Sequence, residues 1–241
     1  MTEHGEDARE GRTRPARTAG AATAAGETGA GADPGKGGGG EDAAFARLVA
    51  ETEGLQPWRR LFHAANGVLV VLALTTLPVE TWLALIILGA ALLVAALMDV
   101  LRLASPALNR LFFRAFSSLA SPREAEGVAS STWYVAGMLL ALLLFPRPWA
   151  LGGILVLALA DPAAGFVGRS LGTRTFGAGT WEGSATFAGV AFLALLPFAP
   201  WWAALAAALV TTLVEAVPWE LDDNLTIPLA VGTTFLLLPG L

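Results

Sequence analysis

Seven apolar stretches, at approximately 61–79, 80–98, 132–146, 148–170, 184–199, 200–217 and 225–241, follow one another with little polar sequence between them. A helix needs about 20 apolar residues to cross a bilayer upright. In hydrocarbon the backbone must also satisfy its own hydrogen bonds, which leaves helices or closed barrels. The pattern predicts an all-α fold, a polytopic membrane bundle of about seven transmembrane helices, some of them short or broken. All eight tryptophans (58, 82, 133, 149, 181, 201, 202, 219) fall at or near the ends of these stretches, the positions favoured by interfacial aromatic rings. Leu77-Pro78-Val79-Glu80, Phe145 to Pro148 and Phe198 to Trp201 read as tight turns on one side.

Charge is distributed just as unevenly. Residues 1–53 hold six of the fifteen Lys+Arg and ten of the twenty Asp+Glu, so the acidic balance belongs largely to the tail. The tail is rich in Gly, Ala and Thr and cannot bury enough apolar surface to order itself. Residues 1–53 are therefore expected to be a disordered cytoplasmic tail, with a short surface helix over Ala43 to Thr52, and 54–241 to be the membrane-embedded domain. The tail lacks the apolar core of a secretory signal. Arg59, Arg60, Arg102, Arg110, Arg114, Arg123, Arg169 and Arg174 all fall on one side of a seven-span bundle, and Arg147 falls on the other. The excess of arginine puts the N-terminus in the cytoplasm and the C-terminus outside. Segment 99–120, with Leu101, Leu108, Leu111, Phe112, Phe116 and Leu119, reads as an amphipathic helix lying along the cytoplasmic face.

The chain has no cysteine, which excludes disulfides, thiolate metal sites and cysteine nucleophiles. Lys36 is the only lysine. A phosphate bound by the body must be met by arginine, backbone N–H groups or a metal ion. No nucleic-acid partner is indicated.

Ionisable groups beside hydrocarbon are functional candidates because they are expensive there. One acid-bearing, glycine-rich patch runs from Asp161 through Gly165, Gly168 and Arg169 to Gly172, followed by Thr180-Trp181-Glu182-Gly183-Ser184. Asp161-Pro162 has the form of a helix N-cap followed by proline, so the fourth span is expected to break there and start a new helix at Asp161. Such a helix N-terminus suits phosphate. Gly165, Gly168 and Gly172 form one bare helical stripe, either for close helix packing or for a ligand approaching the backbone. Thr180 and Ser184 are either caps of the fifth span or ligand contacts. Glu182 reads as a cation ligand or an arginine partner. The second patch is Glu215 with Asp222-Asp223-Asn224, where Asn224 caps the last helix. Adjacent carboxylates favour a hard cation such as Mg²⁺.

In their order these elements resemble the CTP-dependent lipid-alcohol kinases: dolichol kinase, phytol kinase and the CTP-using diacylglycerol kinase. The matching pieces are Arg59-Arg60-x-x-His63, Asp99-x-x-Arg102, Arg123-Glu124 with Thr132-Trp133-Tyr134-x-x-Gly137, Asp161-Pro-Ala-Ala-x-x-Val-Gly168-Arg169, Glu182-Gly183-Ser184, and Glu215 with Asp222-Asp223-Asn224-Leu-x-Ile-Pro228. The family pattern usually has lysine where this chain has Gly179. The resemblance implies transfer of the γ-phosphoryl of CTP to the hydroxyl of a membrane lipid alcohol at the cytoplasmic face. By it, Asp222, Asp223 and Glu215 would hold Mg²⁺, with Glu182 as a further ligand. Arg102, Arg123 and Arg169 would meet phosphate oxygens. Gly165, Gly168, Thr180, Gly183 and Ser184 would line the nucleotide, and Asp161 would bind metal or accept the alcohol proton.

Two other readings stand beside it. Phosphatidate cytidylyltransferases share the Asp161-x-x-Ala164-x-x-x-Gly168-Arg169 stretch, but their histidine-rich C-terminal signature and the lysines before it are missing, since this chain has no histidine after His63. A transporter would use broken helices and intramembrane acids, yet its site belongs at the midplane, whereas these charges gather toward one face.

Overall fold

The computed structural model describes residues 38–54, 56–218 and 221–241. Among the described residues the chain is an all-α bundle: α1 (Gly38–Ala50), α2 (Pro57–Thr76), α3 (Thr81–Ala104), α4 (Pro106–Ala115), α5 (Ser130–Leu144), α6 (Arg147–Leu171), α7 (Trp181–Leu195), α8 (Trp201–Ala216) and α9 (Asp223–Leu237). A single 3-10 turn, Pro122–Ala125, sits before α5, and a small hairpin, β1 (Thr175–Phe176) with β2 (Gly179–Thr180), joins α6 to α7. Each of the seven apolar stretches is one helix: α2, α3 and α5 to α9. The helix starts carry local signals. Pro57, Pro106 and Pro148 open α2, α4 and α6, where a missing N–H costs nothing. The side chains of Ser105, Thr180 and Asp222 cap α4, α7 and α9.

α6 is the centre, packed against α2, α5, α7 and α9. Its contact faces are small or branched apolar residues, with Ala150, Ile154, Val156 and Ala158 fully buried. α8 presents Ala203, Ala204, Ala207 and Ala208, also fully buried. Small side chains let helix axes approach closely, and α9 uses this on both sides. A Cβ on Gly153 of α6 would lie 2.8 Å from the Pro228 carbonyl oxygen, and one on Gly137 of α5 would strike the Asn224 backbone. α3 is different: it packs only at the edge and leaves Leu93 71% and Val100 63% exposed. An apolar face of that extent calls for an apolar surrounding. α3 and α6 are long and apolar enough to cross a membrane, and α5 and α8 are shorter apolar helices.

Two expectations are corrected. α6 runs unbroken through Asp161-Pro162, with Pro162 inside the helix. A proline removes one helical N–H and crowds one carbonyl, and the packing of α6 on four neighbours holds it together across that defect. No helix begins at Asp161, so the phosphate site expected at its N-terminus is absent. The amphipathic segment 99–120 is also two pieces. α3 continues to Ala104, the chain turns at Ser105-Pro106, and α4 is a separate helix packed against α3 and α1. The short helix expected over Ala43 to Thr52 is α1, which begins at Gly38 and ends at Ala50 and sets Phe45 edge-on against the buried Phe113 of α4, ring centres 5.5 Å apart. The rest of the expected disordered segment, residues 1–37, lies outside the described residues, as does Trp219.

The hairpin was not foreseen. Gly177 adopts a φ of +54° and brings its turn against the last carbonyl of α8, where Ala178 N donates to Ala216 O at 2.8 Å. That bond satisfies an orphan helix-end acceptor and fixes the α6–α7 connection beside the end of α8.

Candidate active site

α6 and α8 end, and α2, α5, α7 and α9 begin, around a cavity of about 660 Å³. Asp161, Glu215, Asp222 and Asp223 all line it, as do Arg123 and Arg169 and the bare backbone of Gly165, Gly168 and Gly183 with Thr180 and Ser184. Residues drawn from separate patches of sequence therefore meet in one place. Asp161, half-buried on α6, lies in electrostatic reach of Arg60, Arg59, Asp222 and Arg169. Asp223, exposed at the first position of α9, feels Asp161, Asp222, Glu215 and Arg123.

Local structure fixes several of these groups. Asp222 Oδ1 caps α9, accepting from Asn224 N at 3.0 Å and Asn224 Nδ2 at 2.6 Å. Asn224, expected as the cap, supports it instead. Thr180 Oγ1 accepts from Gly183 N at 3.1 Å as the cap of α7. Arg169 Nη1 donates to Gly54 O at 2.6 Å, tying α6 to the segment before α2. Gly165 has no side chain because the Arg60 guanidinium lies against it, and Gly168 faces Thr180 and Gly183. The glycine stripe thus serves close packing while it also lines the cavity. Two buried oxygens there, Ser184 Oγ and Glu215 Oε2, have no hydrogen-bond partner.

Two expected site residues lie elsewhere. Arg102 is buried behind the cavity wall. Its Nε donates to Asp99 Oδ1 at 2.7 Å, Nη1 to Asn109 Oδ1 at 3.1 Å and Glu124 O at 2.6 Å, and Nη2 to Gly127 O at 2.6 Å. Glu182 faces the α6–α7 connection, where Oε1 accepts from Thr173 N at 3.1 Å and Thr173 Oγ1 at 2.5 Å.

Other residues enter that had been given no place in the site. Arg59, Arg60, His63 and Glu124 line the cavity. The two arginines served to orient the bundle and as part of the matched motif Arg59-Arg60-x-x-His63, without a role in the site, although the same charge run beside an apolar helix was also a site signal. Glu124 is 4% exposed and accepts from Ser130 N at 3.2 Å. Burial pushes its carboxyl above the ordinary value, against the lowering pull of the Ser130 hydrogen bonds, Arg59 and Arg102.

Over 117 residues the chain is 31% identical to CTP-dependent diacylglycerol kinase 1 of Eremothecium gossypii, covering 48% of this chain and 37% of the relative. It is 27% identical over 117 residues to CTP-dependent diacylglycerol kinase 1 of Saccharomyces cerevisiae, covering 48% of this chain and 40% of that protein. The chain is similar to CTP-dependent diacylglycerol kinases. It matches well under half of the length of these curated relatives. No family model matches it, and no solved structure does.

The chemistry of the cavity agrees with that similarity. Arg59, Arg60, Arg123 and Arg169 face Glu53, Glu124, Asp161, Glu215, Asp222 and Asp223. Guanidinium groups suit phosphate oxygens, but carboxylates repel them unless a cation lies between. Among the described residues no three acids or histidines are close enough to chelate a metal ion by themselves. That is no obstacle to Mg²⁺, which takes one or two carboxylates and completes its shell with phosphate and water. The unpartnered Glu215 Oε2 and the adjacent Asp223 are donors of that kind. Gly179, the position where the kinase pattern usually has lysine, lines the same cavity with nothing nearer to a Cβ there than Phe176 O at 4.0 Å.

Proposed function

We propose that residues 54–241 form a multi-pass membrane enzyme that transfers the γ-phosphoryl group of CTP to the hydroxyl of a lipid alcohol, of the polyprenol or dolichol, phytol or diacylglycerol type. The observation that carries this reading is the meeting of arginines and carboxylates in one cavity at one end of an apolar bundle. In this reading α2, α3 and α5 to α9 are the seven spans, α4 lies along the interface, the N-terminus is cytoplasmic and the C-terminus is outside. Arg147 supports that orientation: it sits at the opposite end of the bundle, donating to Val79 O at 2.9 Å and to Leu74 O.

Phosphoryl transfer depends mainly on positioning and on neutralising charge. Arg123, Arg60 and Arg169 would hold phosphate oxygens, while Gly165, Gly168 and Gly183 let the nucleotide approach the backbone. Asp223 and Glu215 would hold Mg²⁺ together with phosphate and water, while Asp222 caps α9 beside them; the chemistry of the ion is to neutralise the triphosphate. The alcohol oxygen forms the new bond to the γ-phosphorus. The bond from that phosphorus to the β,γ-bridging oxygen breaks, its electron pair leaves on CDP, and Asp161 takes the alcohol proton.

Purified protein supplied with CTP, magnesium and a lipid-alcohol panel tests this directly. Label from the γ-position should appear in lipid, with CDP released. With phosphatidate added to the panel, label from the α-position in lipid, with pyrophosphate released, would mean a cytidylyltransferase instead. Solute uptake into proteoliposomes without nucleotide turnover would mean a transporter.

A further inference from the structure

Among the described residues, Gln56 is the one non-glycine whose backbone turns left-handed, with φ 46° and ψ 54°. That conformation is unfavourable for any residue carrying a Cβ and persists only where its surroundings override the cost. Gln56 also departs from what a helix start calls for. The residue before the first turn is usually extended, and its short side chain turns an oxygen back onto the helix. Gln56 directly precedes Pro57 of α2, makes no side-chain cap, and sends its amide elsewhere.

Both ends of the amide are used. Nε2 donates to the carbonyls of two buried residues, Thr52 at 2.5 Å and Ala120 at 3.5 Å. With the nitrogen anchored, Oε1 accepts from Arg59 Nη1 at 2.7 Å. Gln56 and Arg59 both line the charged cavity, and Asp161 and Glu124 lie within electrostatic reach of Arg59. A guanidinium left loose among carboxylates would pair with one of them. The amide oxygen holds it by a neutral contact instead, which keeps its charge and most of its N–H donors available to an anion. The same turn serves a second cavity arginine: Gly54, with φ 115°, offers its carbonyl to Arg169 Nη1 at 2.6 Å.

Resting on the phosphotransfer reading above, we infer that Gln56 is a positioning residue, which aims Arg59 at the triphosphate as a further phosphate contact. The role accounts for a glutamine on a backbone that suits glycine. Glycine would relieve the strain and release Arg59. Asparagine tolerates the left-handed region better, but its side chain is one methylene shorter and cannot keep both the anchor and the arginine.

The test uses full-length protein in detergent carrying Gln56→Gly, Gln56→Asn or Arg59→Gln. Gln56→Gly and Gln56→Asn should each raise the KM for CTP about tenfold and keep kcat within about twofold, the mark of lost ground-state binding. A merely structural glutamine would lower the thermal midpoint and leave the KM of the folded variants unchanged, and that result overturns the inference. Arg59→Gln should raise the KM by a similar factor, and adding Gln56→Gly to it should change the KM by less than about twofold, since residues that act through one another are not additive. Fully additive effects would show that Gln56 acts independently of Arg59, which overturns the inference as well. If the parent transfers no phosphoryl group from CTP, the phosphotransfer reading fails separately, and calorimetric binding of inorganic triphosphate with Mg²⁺ decides the role of Gln56. A Kd about tenfold weaker in Gln56→Gly supports it. An equal Kd, or no binding by the parent, overturns it.

Discussion

Asp99 holds Arg102 at 2.7 Å in a buried ion pair on the last turns of α3, and neither residue lines the charged cavity. The pair is an internal joint: it gathers Asn109, Glu124, Gly127, Ala129 and Thr132 around one guanidinium and one carboxylate. Removing one member of a buried pair strands the other and costs about 3–5 kcal/mol. In a chain of this size that corresponds to a fall in thermal midpoint on the order of 10 °C. Arg102→Ala should therefore lose stability and leave CTP affinity of the folded protein nearly unchanged. Weakened nucleotide binding at an unshifted midpoint would return Arg102 to the phosphates.

Asp161 and Asp223 make the opposite case. Both line the cavity, and neither caps a helix through its side chain. Asp161→Asn and Asp223→Asn should each lower kcat by about a hundredfold or more, in keeping with loss of a group that acts on the reacting atoms, while thermal unfolding in detergent stays close to that of the parent. Substantial turnover in both variants would dismiss the assigned site.

The bundle was largely legible because apolar stretches of near-spanning length announce themselves and tryptophan marks their ends. Trp58, Trp82, Trp133, Trp149, Trp181, Trp201 and Trp202 all fall within the first turn of a helix. The convergence of Asp161, Arg169, Glu215 and Asp222–Asp223 was also legible, since acids at the edges of apolar helices have few other places to go. Asp161-Pro162 misled because capping rules are local. Whether a proline ends a helix depends on what packs around it, and here Phe187, Ile227 and Leu157 belong to the same buried core as Ala160 and Ala164. Arg102 misled in another way. Its spacing from Asp99 on a helix is that of an ion pair, a bland explanation that the motif match concealed. The hairpin could not be read because its docking partner, the Ala216 carbonyl, lies far along the chain.

Gly153 tests how close α6 and α9 must be. A Cβ there would lie 2.8 Å from Pro228 O and 3.1 Å from Pro228 Cα, and neither backbone atom can swing aside. Gly153→Ala should force the helices apart and cost about 1–3 kcal/mol, as overpacking of a tight core does. The thermal midpoint reports it. Gly89→Ala is the control, because a Cβ there meets nothing within 4 Å. Equal midpoints in the two variants would disprove the close approach.

Glu124 gives the fold a pH dependence of known sign. Burial raises its carboxyl pKa above the unfolded value of 4.5. A group raised in this way contributes fully below its unfolded pKa, and the contribution is lost as pH rises through the folded value. Glu124→Gln has no charge to bury, so it should lack this loss. The midpoint of the variant minus that of the parent should therefore grow as pH increases from about 4 to about 8. A difference that shrinks over this range would mean the ionised carboxylate is the favoured form.

Gly179 is where the chain departs from the kinase pattern, and the structure leaves room to restore it. The backbone φ there lies outside the left-handed region, and the nearest atom to an added Cβ is 4.0 Å away. A lysine at this position would extend from β2 into a cavity that holds Asp161 and Asp222 but must also receive a triphosphate. If arginines already supply the phosphate contacts, the extra cation adds a modest attraction of about 1 kcal/mol, roughly fivefold in the KM for CTP. Gly179→Lys should lower that KM by up to about this factor and leave kcat unchanged or higher. Added salt should shrink the gain, because a partly exposed charge is screened. A rise in the KM for CTP at low salt would show that the acids, rather than a bound phosphate, capture the new ammonium group.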